Sequence, residues 1–134
     1  MATIADIEGI GPATAEKLKG AGVRSVQALL EHGGCAKDRQ ELAAATGIDP
    51  SKILEWVNHA DLYRVHGIGS EYSQLLEQAG VDTVPELAQR NAASLYEMLV
   101  KTNEAKKLVR KLPTASQVAE WVAQAKSLPR VVEY

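Results

Sequence analysis

Two triplets in this chain have the residue types and spacing of an anion seat. One is Gly9, Ile10 and Gly11, followed by Pro12; the other is Gly67, Ile68 and Gly69, followed by Ser70. A glycine on each side of the tip permits positive φ and close approach by another group. Pro12 suits the first position of a helix, where its missing N–H is no loss. Such a tip directs unpaired amides outward from a helix N-terminus, where they hold phosphate or another anion. Lys17, Lys19 and Arg24 add positive charge after the first triplet. Around the second, Arg64 is outnumbered by Asp61, Glu71, Glu77 and Asp82, which repel a phosphate. The plainer reading is a tight helix connector whose isoleucine buries itself. Acidic surroundings favour it for the second triplet, and both readings stay open for the first.

A second basic feature lies between residues 90 and 111. There Arg90, Lys101, Lys106, Lys107, Arg110 and Lys111 outnumber Glu97 and Glu104. On a continuous helix Lys106 and Arg110 are one turn apart, as are Lys107 and Lys111, which predicts two adjacent basic rows. These suit a phosphate backbone or an acidic protein; the plainer alternative is a solvated face with Leu108 and Leu112 turned inward. Other chemistry is poorly represented. Cys35 precedes a helix but has no His, Asn or second Cys at a telling spacing. His32, His59 and His66 form no zinc pattern. Asp61 and Glu71 make no acid–base pair, and no nucleotide-binding loop or serine elbow is present. Trp56 and Trp121 read as core residues. No catalytic residue, metal or cofactor is expected, and an enzyme is not.

Composition narrows the partners. A net charge of −2 and a pI near 5.9 argue against whole-surface attraction to nucleic acid, so any binding must be local. With 46% hydrophobic residues but no Phe, the core must be built from Leu, Val, Ile and Ala. The single cysteine excludes an internal disulfide and fits a reducing compartment. No stretch is apolar enough to span a membrane. The opening MATIADIEG lacks the regions of a signal peptide, so a cytoplasmic location is expected.

The elements that position these residues come twice. Sliding the sequence along itself lays Gly9, Gly11, Leu18, Gly22, Val23 and Leu29 on Gly67, Gly69, Leu76, Gly80, Val81 and Leu87. Further on, Ser51, Glu55, Trp56, Val57 and Ala60 meet Ser116, Glu120, Trp121, Val122 and Ala125. The second copy has gained about seven residues, roughly two helical turns. Helices are predicted over 4–7, 12–21, 25–32, 36–46 and from Pro50 through Trp56 in the first copy. In the second they cover 70–79, 84–90, 92–102 and 115–128, with 103–112 as the longer inserted region. Ile53, Trp56, Val57 and Ala60 fall on one helical face. Thr114 and Gln117 form a capping box. Residues 130–134 read as extended and have no assigned place.

GIGPATAEKL resembles the helix-hairpin-helix motif, and GIGSEYSQLL is a looser copy of it. With TGIDPSKILEWVNHADLYRVHGIG and KKLVRKLPTASQVAEWVAQAKSLP, the pair is similar to a bacterial family of paired helix-hairpin-helix proteins. That family is known as domain of unknown function 4332. The resemblance to the wider helix-hairpin-helix class implies that hairpin amides hold a DNA phosphate, sometimes with a monovalent cation, regardless of base sequence. Carried onto this chain, the role falls to the backbone of Gly9, Ile10 and Gly11 and of Gly67, Ile68 and Gly69, supported by Lys17, Lys19 and Arg24.

The expectation is therefore an all-α chain of two tandem helix-hairpin-helix units packed as one compact domain over 1–134. The units divide at 1–60 and 61–134, the second carrying the basic helical insertion. Double-stranded DNA is the expected partner, bound weakly through the first hairpin and the helix bearing Lys101, Lys106, Lys107, Arg110 and Lys111. The alternative is a protein-interaction adaptor or self-assembling scaffold, with a protein partner or a homodimer. Neither a small-molecule substrate nor a membrane is expected.

Overall fold

The computed structural model describes residues 3–7 and 9–133; among them lie eight α-helices, one 3₁₀ turn and no strand. They group into two compact units, Leu62–Arg130 and a first unit that joins Met1–Asp61 to Val131–Tyr134. The all-helical expectation holds. Residues 131–133 group with the first unit.

In the first unit a 3₁₀ turn, Ile4–Asp6, is closed by the Asp6 carboxylate, which accepts from the Thr3 amide at 2.8 Å and its hydroxyl at 3.2 Å. Helix α1 (Pro12–Gly20) follows the glycine turn and buries Ala15 and Leu18. Helix α2 (Val26–Gly33) starts where the Ser25 hydroxyl accepts from the Ala28 amide at 3.0 Å. Helix α3 (Ala36–Thr46) ends at Gly47, in the left-handed region at φ 76°. Helix α4 (Pro50–Leu62) starts after Asp49. It turns Ile53, Trp56, Val57 and Ala60 inward, as their spacing predicts, with Val57 against Gly33.

The second unit repeats the plan with helices α5 (Ser70–Gln78), α6 (Val84–Ala88), α7 (Ala92–Lys106) and α8 (Ala115–Ser127). Its core gathers Val65, Leu75, Leu87, Leu99, Val118 and Trp121. Thr114 and Gln117 form the capping box that opens α8. The Tyr72 ring lies 5.3 Å from that of Trp121 at an interplanar angle of 51°.

Both units rest on the same contact. Gly9 has φ +92°, and a Cβ placed on it would stand 3.0 Å from Trp56 Nε1. Gly67 has φ +97°, and its Cβ would stand 3.1 Å from Trp121 Nε1. Each glycine is thus fixed twice, by a dihedral that side chains disfavour and by the indole edge against it. The second glycine of each turn differs. Gly11 (φ −93°, ψ −176°) and Gly69 (φ −110°, ψ −163°) are extended, with nothing within 4 Å of an added Cβ. Positive φ therefore belongs to the first glycine only.

Replacing Gly9 or Gly67 by alanine is expected to cost about 2 kcal/mol or more, from the backbone term plus displacement of the indole. Gly11→Ser should stay within about 0.5 kcal/mol of the parent or gain stability, because serine caps a helix well. Urea titration followed by tryptophan fluorescence separates these outcomes. A third expectation concerns acid. The Ser51 amide and hydroxyl donate to Asp49 Oδ1 at 2.9 and 2.8 Å and hold its carboxyl below the ordinary 3.8. A depressed folded value favours the folded state fully above 3.8, and the contribution fades as pH falls through the lowered value. Asp49→Asn should flatten the stability profile in that acid window and leave its shape near neutrality unchanged.

Candidate phosphate-binding surface

The turn that seats glycine on tryptophan also decides which amides face outward. The Ile10 N–H donates to Ile7 O at 3.0 Å, and the Ile68 N–H to Val65 O at 3.1 Å. Both isoleucine side chains are buried. Ile10 and Ile68 therefore leave the donor set that the sequence suggested, because their N–H groups close the turn. What remains exposed is the start of the next helix, where first-turn amides have no carbonyl to bond. At α1 these belong to Gly11, Ala13 and Thr14, since Pro12 has none. At α5 they belong to Gly69, Ser70, Glu71 and Tyr72. Neither helix has a side-chain cap.

Gly11 and Gly69 are exposed, and the fold supplies no reason for glycine at either. Serine, aspartate or asparagine would stabilise these positions more. Bare backbone there, in both copies, is what close approach by a group outside the chain requires.

Electrostatics separates the two turns. No acidic residue occupies the first turn of α1, whereas Glu71 occupies that of α5 and competes for its amides. Glu8, next to the first turn in sequence, lies outside the described residues. Lys17 and Lys19 stand in the last turn of α1, about 8–10 Å along the axis from its start at 1.5 Å per residue. They complement the carbonyl end of the helix more directly than the amide end. Lys19 also pairs with Glu16 at 3.7 Å, an exposed contact worth little. Lys17 and Arg24 are exposed.

The inserted basic region departs from expectation. Helix α7 runs on to Lys106, beyond its predicted end, and stops because Lys107 is left-handed at φ 50°. The Asn103 carboxamide then holds the next segment, donating to Val109 O at 3.2 Å and accepting from the Val109 amide at 3.0 Å. Lys106 and Arg110 do not form a helical row, and nor do Lys107 and Lys111. The reason is local: an Asn side chain offers the backbone partners that a helix would supply, and burial of Val109 and Pro113 secures the bend. The Tyr72 hydroxyl pins the segment further by donating to Lys111 O at 3.0 Å. Arg90 caps α5 through Gly80 O at 3.1 Å, and Lys106 reaches Gln78. Lys101, Lys107, Arg110 and Lys111 remain exposed on the second unit.

Trp56 and Trp121 are buried at 6% and 2% exposure, which leaves no open ring face for stacking on a base. Cys35 is partly buried at the start of α3, His59 is buried, and His32 and His66 are exposed. Among the described residues no three His, Cys, Asp or Glu side chains converge on a metal-sized site. Sequence reasoning missed Arg39, buried at 5% exposure, and Glu133, to whose carbonyl it donates. The available signal was the spacing of Arg39 and Leu42, which puts both on the inner face of α3.

Asn103→Ala should destabilise the chain by about 1–3 kcal/mol by leaving the Val109 N–H and C=O unpartnered. Guanidinium denaturation measures this directly, and Glu104→Ala, on an exposed residue, is the control.

No solved structure matched the chain. The family described as Domain of unknown function (DUF4332) matches residues 8–128. That span takes in both glycine turns and both tryptophan helices, and the chain belongs to the DUF4332 family.

Proposed function

We propose that this chain is a non-enzymatic tandem helix-hairpin-helix module that attaches weakly to the phosphate backbone of double-stranded DNA, without reading base sequence. The observation that carries the reading is Gly11. It is an exposed helix cap with no side chain, nothing within 4 Å of an added Cβ and no acid in the helical turn behind it. Gly11, Ala13 and Thr14 amides would hold one phosphate, with Lys17 and Arg24 as exposed cations on the same unit. Lys101, Lys107, Arg110 and Lys111 would add contacts from the second unit. The Gly69 turn contributes least, because Glu71 competes with an incoming anion. So few phosphates imply a dissociation constant of about 10⁻⁴–10⁻⁶ M and a shallow salt slope. The role is proposed for the cytoplasm; no helix among the described residues is long and apolar enough to cross a membrane.

The acidic first turn of α5 favours a second reading, an adaptor or self-assembling scaffold whose partner is a protein. Fluorescence anisotropy with a random-sequence duplex at low salt distinguishes the two. Gly11→Asp is the decisive variant, since an aspartate cap satisfies the amides, supports the helix and repels phosphate. Binding should fall at least tenfold in Gly11→Asp and in Lys107→Glu with Lys111→Glu, and change little in Gly69→Asp. No binding by the parent chain, or equal binding by Gly11→Asp, would move the assignment to the protein-binding reading.

A further inference from the structure

The glycine–tryptophan contact of the second unit carries an attachment that links it to the basic segment. Trp121 meets Gly67 at its indole nitrogen and the Tyr72 ring at 5.3 Å, so one buried side chain sets both the turn and the tyrosine. Tyr72 stands in the first turn of α5, and its hydroxyl donates to Lys111 O at 3.0 Å. The Asn103 carboxamide holds the same segment two residues earlier, through the N–H and C=O of Val109. Val109 is buried, whereas Arg110 and Lys111 are exposed. Cations on a main chain tethered at both places need little further ordering when a polyanion arrives, unlike those of a free loop. Comparison of the copies supports the link. The alignment that lays Gly67 on Gly9 lays Tyr72 on Thr14, whose hydroxyl sits on Cβ and has a far shorter reach. The basic segment falls where the second copy is the longer, so the long-reaching hydroxyl and the segment it holds occur together.

We infer that Tyr72 is a positioning residue for the phosphate-binding surface of the second unit, its hydroxyl fixing the main chain that presents Arg110 and Lys111. The second glycine turn then serves binding indirectly, by seating Trp121 and Tyr72, and not as an anion seat. This inference rests on the DNA-backbone reading and adds to it a residue that itself touches no phosphate.

The test is Tyr72→Phe in the full chain, which keeps the ring on Trp121 and removes only the hydroxyl. Anisotropy of a fluorescein-labelled random-sequence duplex is followed across a salt series, where each phosphate contact contributes about 0.9 to the slope of log K against log salt. Tyr72→Phe should weaken binding about fivefold at low salt and lower the slope by about 0.9. A role confined to folding would reduce stability and leave the slope of the folded protein unchanged. Added to Arg110→Ala with Lys111→Ala, the same change should have no further effect, because the cations it acts through are gone. Parent-like affinity and slope in Tyr72→Phe, or a further loss in the triple variant, would overturn the inference while the DNA reading stands. Absence of binding by the parent would overturn both. Trypsin checks the tether without DNA: cleavage after Arg110 and Lys111 should be about fivefold faster in Tyr72→Phe, and equal rates would refute it.

Discussion

The contact between a positive-φ glycine and the edge of a tryptophan indole governs each unit. It requires a residue without Cβ at Gly9 and Gly67, and a large, flat side chain at Trp56 and Trp121. Once the turn is seated, the following isoleucine points inward and its amide closes on the residue three positions earlier. The next helix then begins on the outside with nothing capping it. Core, turn and exposed amides are consequences of one steric arrangement, and this explains why the two copies retained it while their surface charges diverged. An indole displaced by a single methyl group would shift the turn, and with it every amide that the turn presents.

The two glycines of each turn answer to different constraints. The first is dictated from inside by dihedral angle and packing. The second is free of both, and its identity costs cap stability that serine would provide. Energetics also limits what such an arrangement can achieve. An anion at a surface helix N-terminus gains about 0.3–1 kcal/mol, a factor of only a few in affinity. A single glycine turn is therefore a positioning element, and useful binding to a polyanion needs cations from elsewhere on the chain. The exposed lysines and arginine of the inserted segment are the available supply, though in a bent loop and not a helix they cannot present ordered rows.

Much of this was legible in the sequence. The internal repeat revealed both glycine turns and both tryptophan helices, because the residues they demand are few and chemically distinctive. One cap was legible too, since Thr114 with Gln117 opens the last helix as its spacing predicts, whereas Ser25, expected inside its helix, stands one residue ahead of it as the cap. The inserted region misled because Lys, Arg and Leu all favour helix, so propensity and charge spacing agreed on the wrong answer. The deciding group was the Asn103 side chain, whose partner six residues on has no periodic signature. Residues 131–133 were illegible for a related reason. Their partners, Gly34 and Arg39, are about a hundred positions away, and Gly34 contributes only backbone oxygen.

The return of the chain from residue 130 to the first unit raises an entropic question that one arginine addresses. Closing a flexible segment as long as 62–130 would cost roughly 4 kcal/mol by the chain-entropy expression. The contact that closes it includes one neutral hydrogen bond at about 1 kcal/mol, one from the Arg39 guanidinium at about 1.5–3 kcal/mol and one buried valine at about 1.5–3 kcal/mol. On those figures the contact offsets the closure of even a flexible segment. The segment is, moreover, not flexible. It is a folded unit whose entry and exit are fastened together, since both terminal nitrogens of Arg64 donate to Pro129 O, one of them at 2.7 Å. Folding of the second unit thus brings residues 62–65 and 128–130 side by side and removes most of the closure cost before residues 131–133 reach Arg39. The seat on the first unit is accordingly filled at little entropic cost.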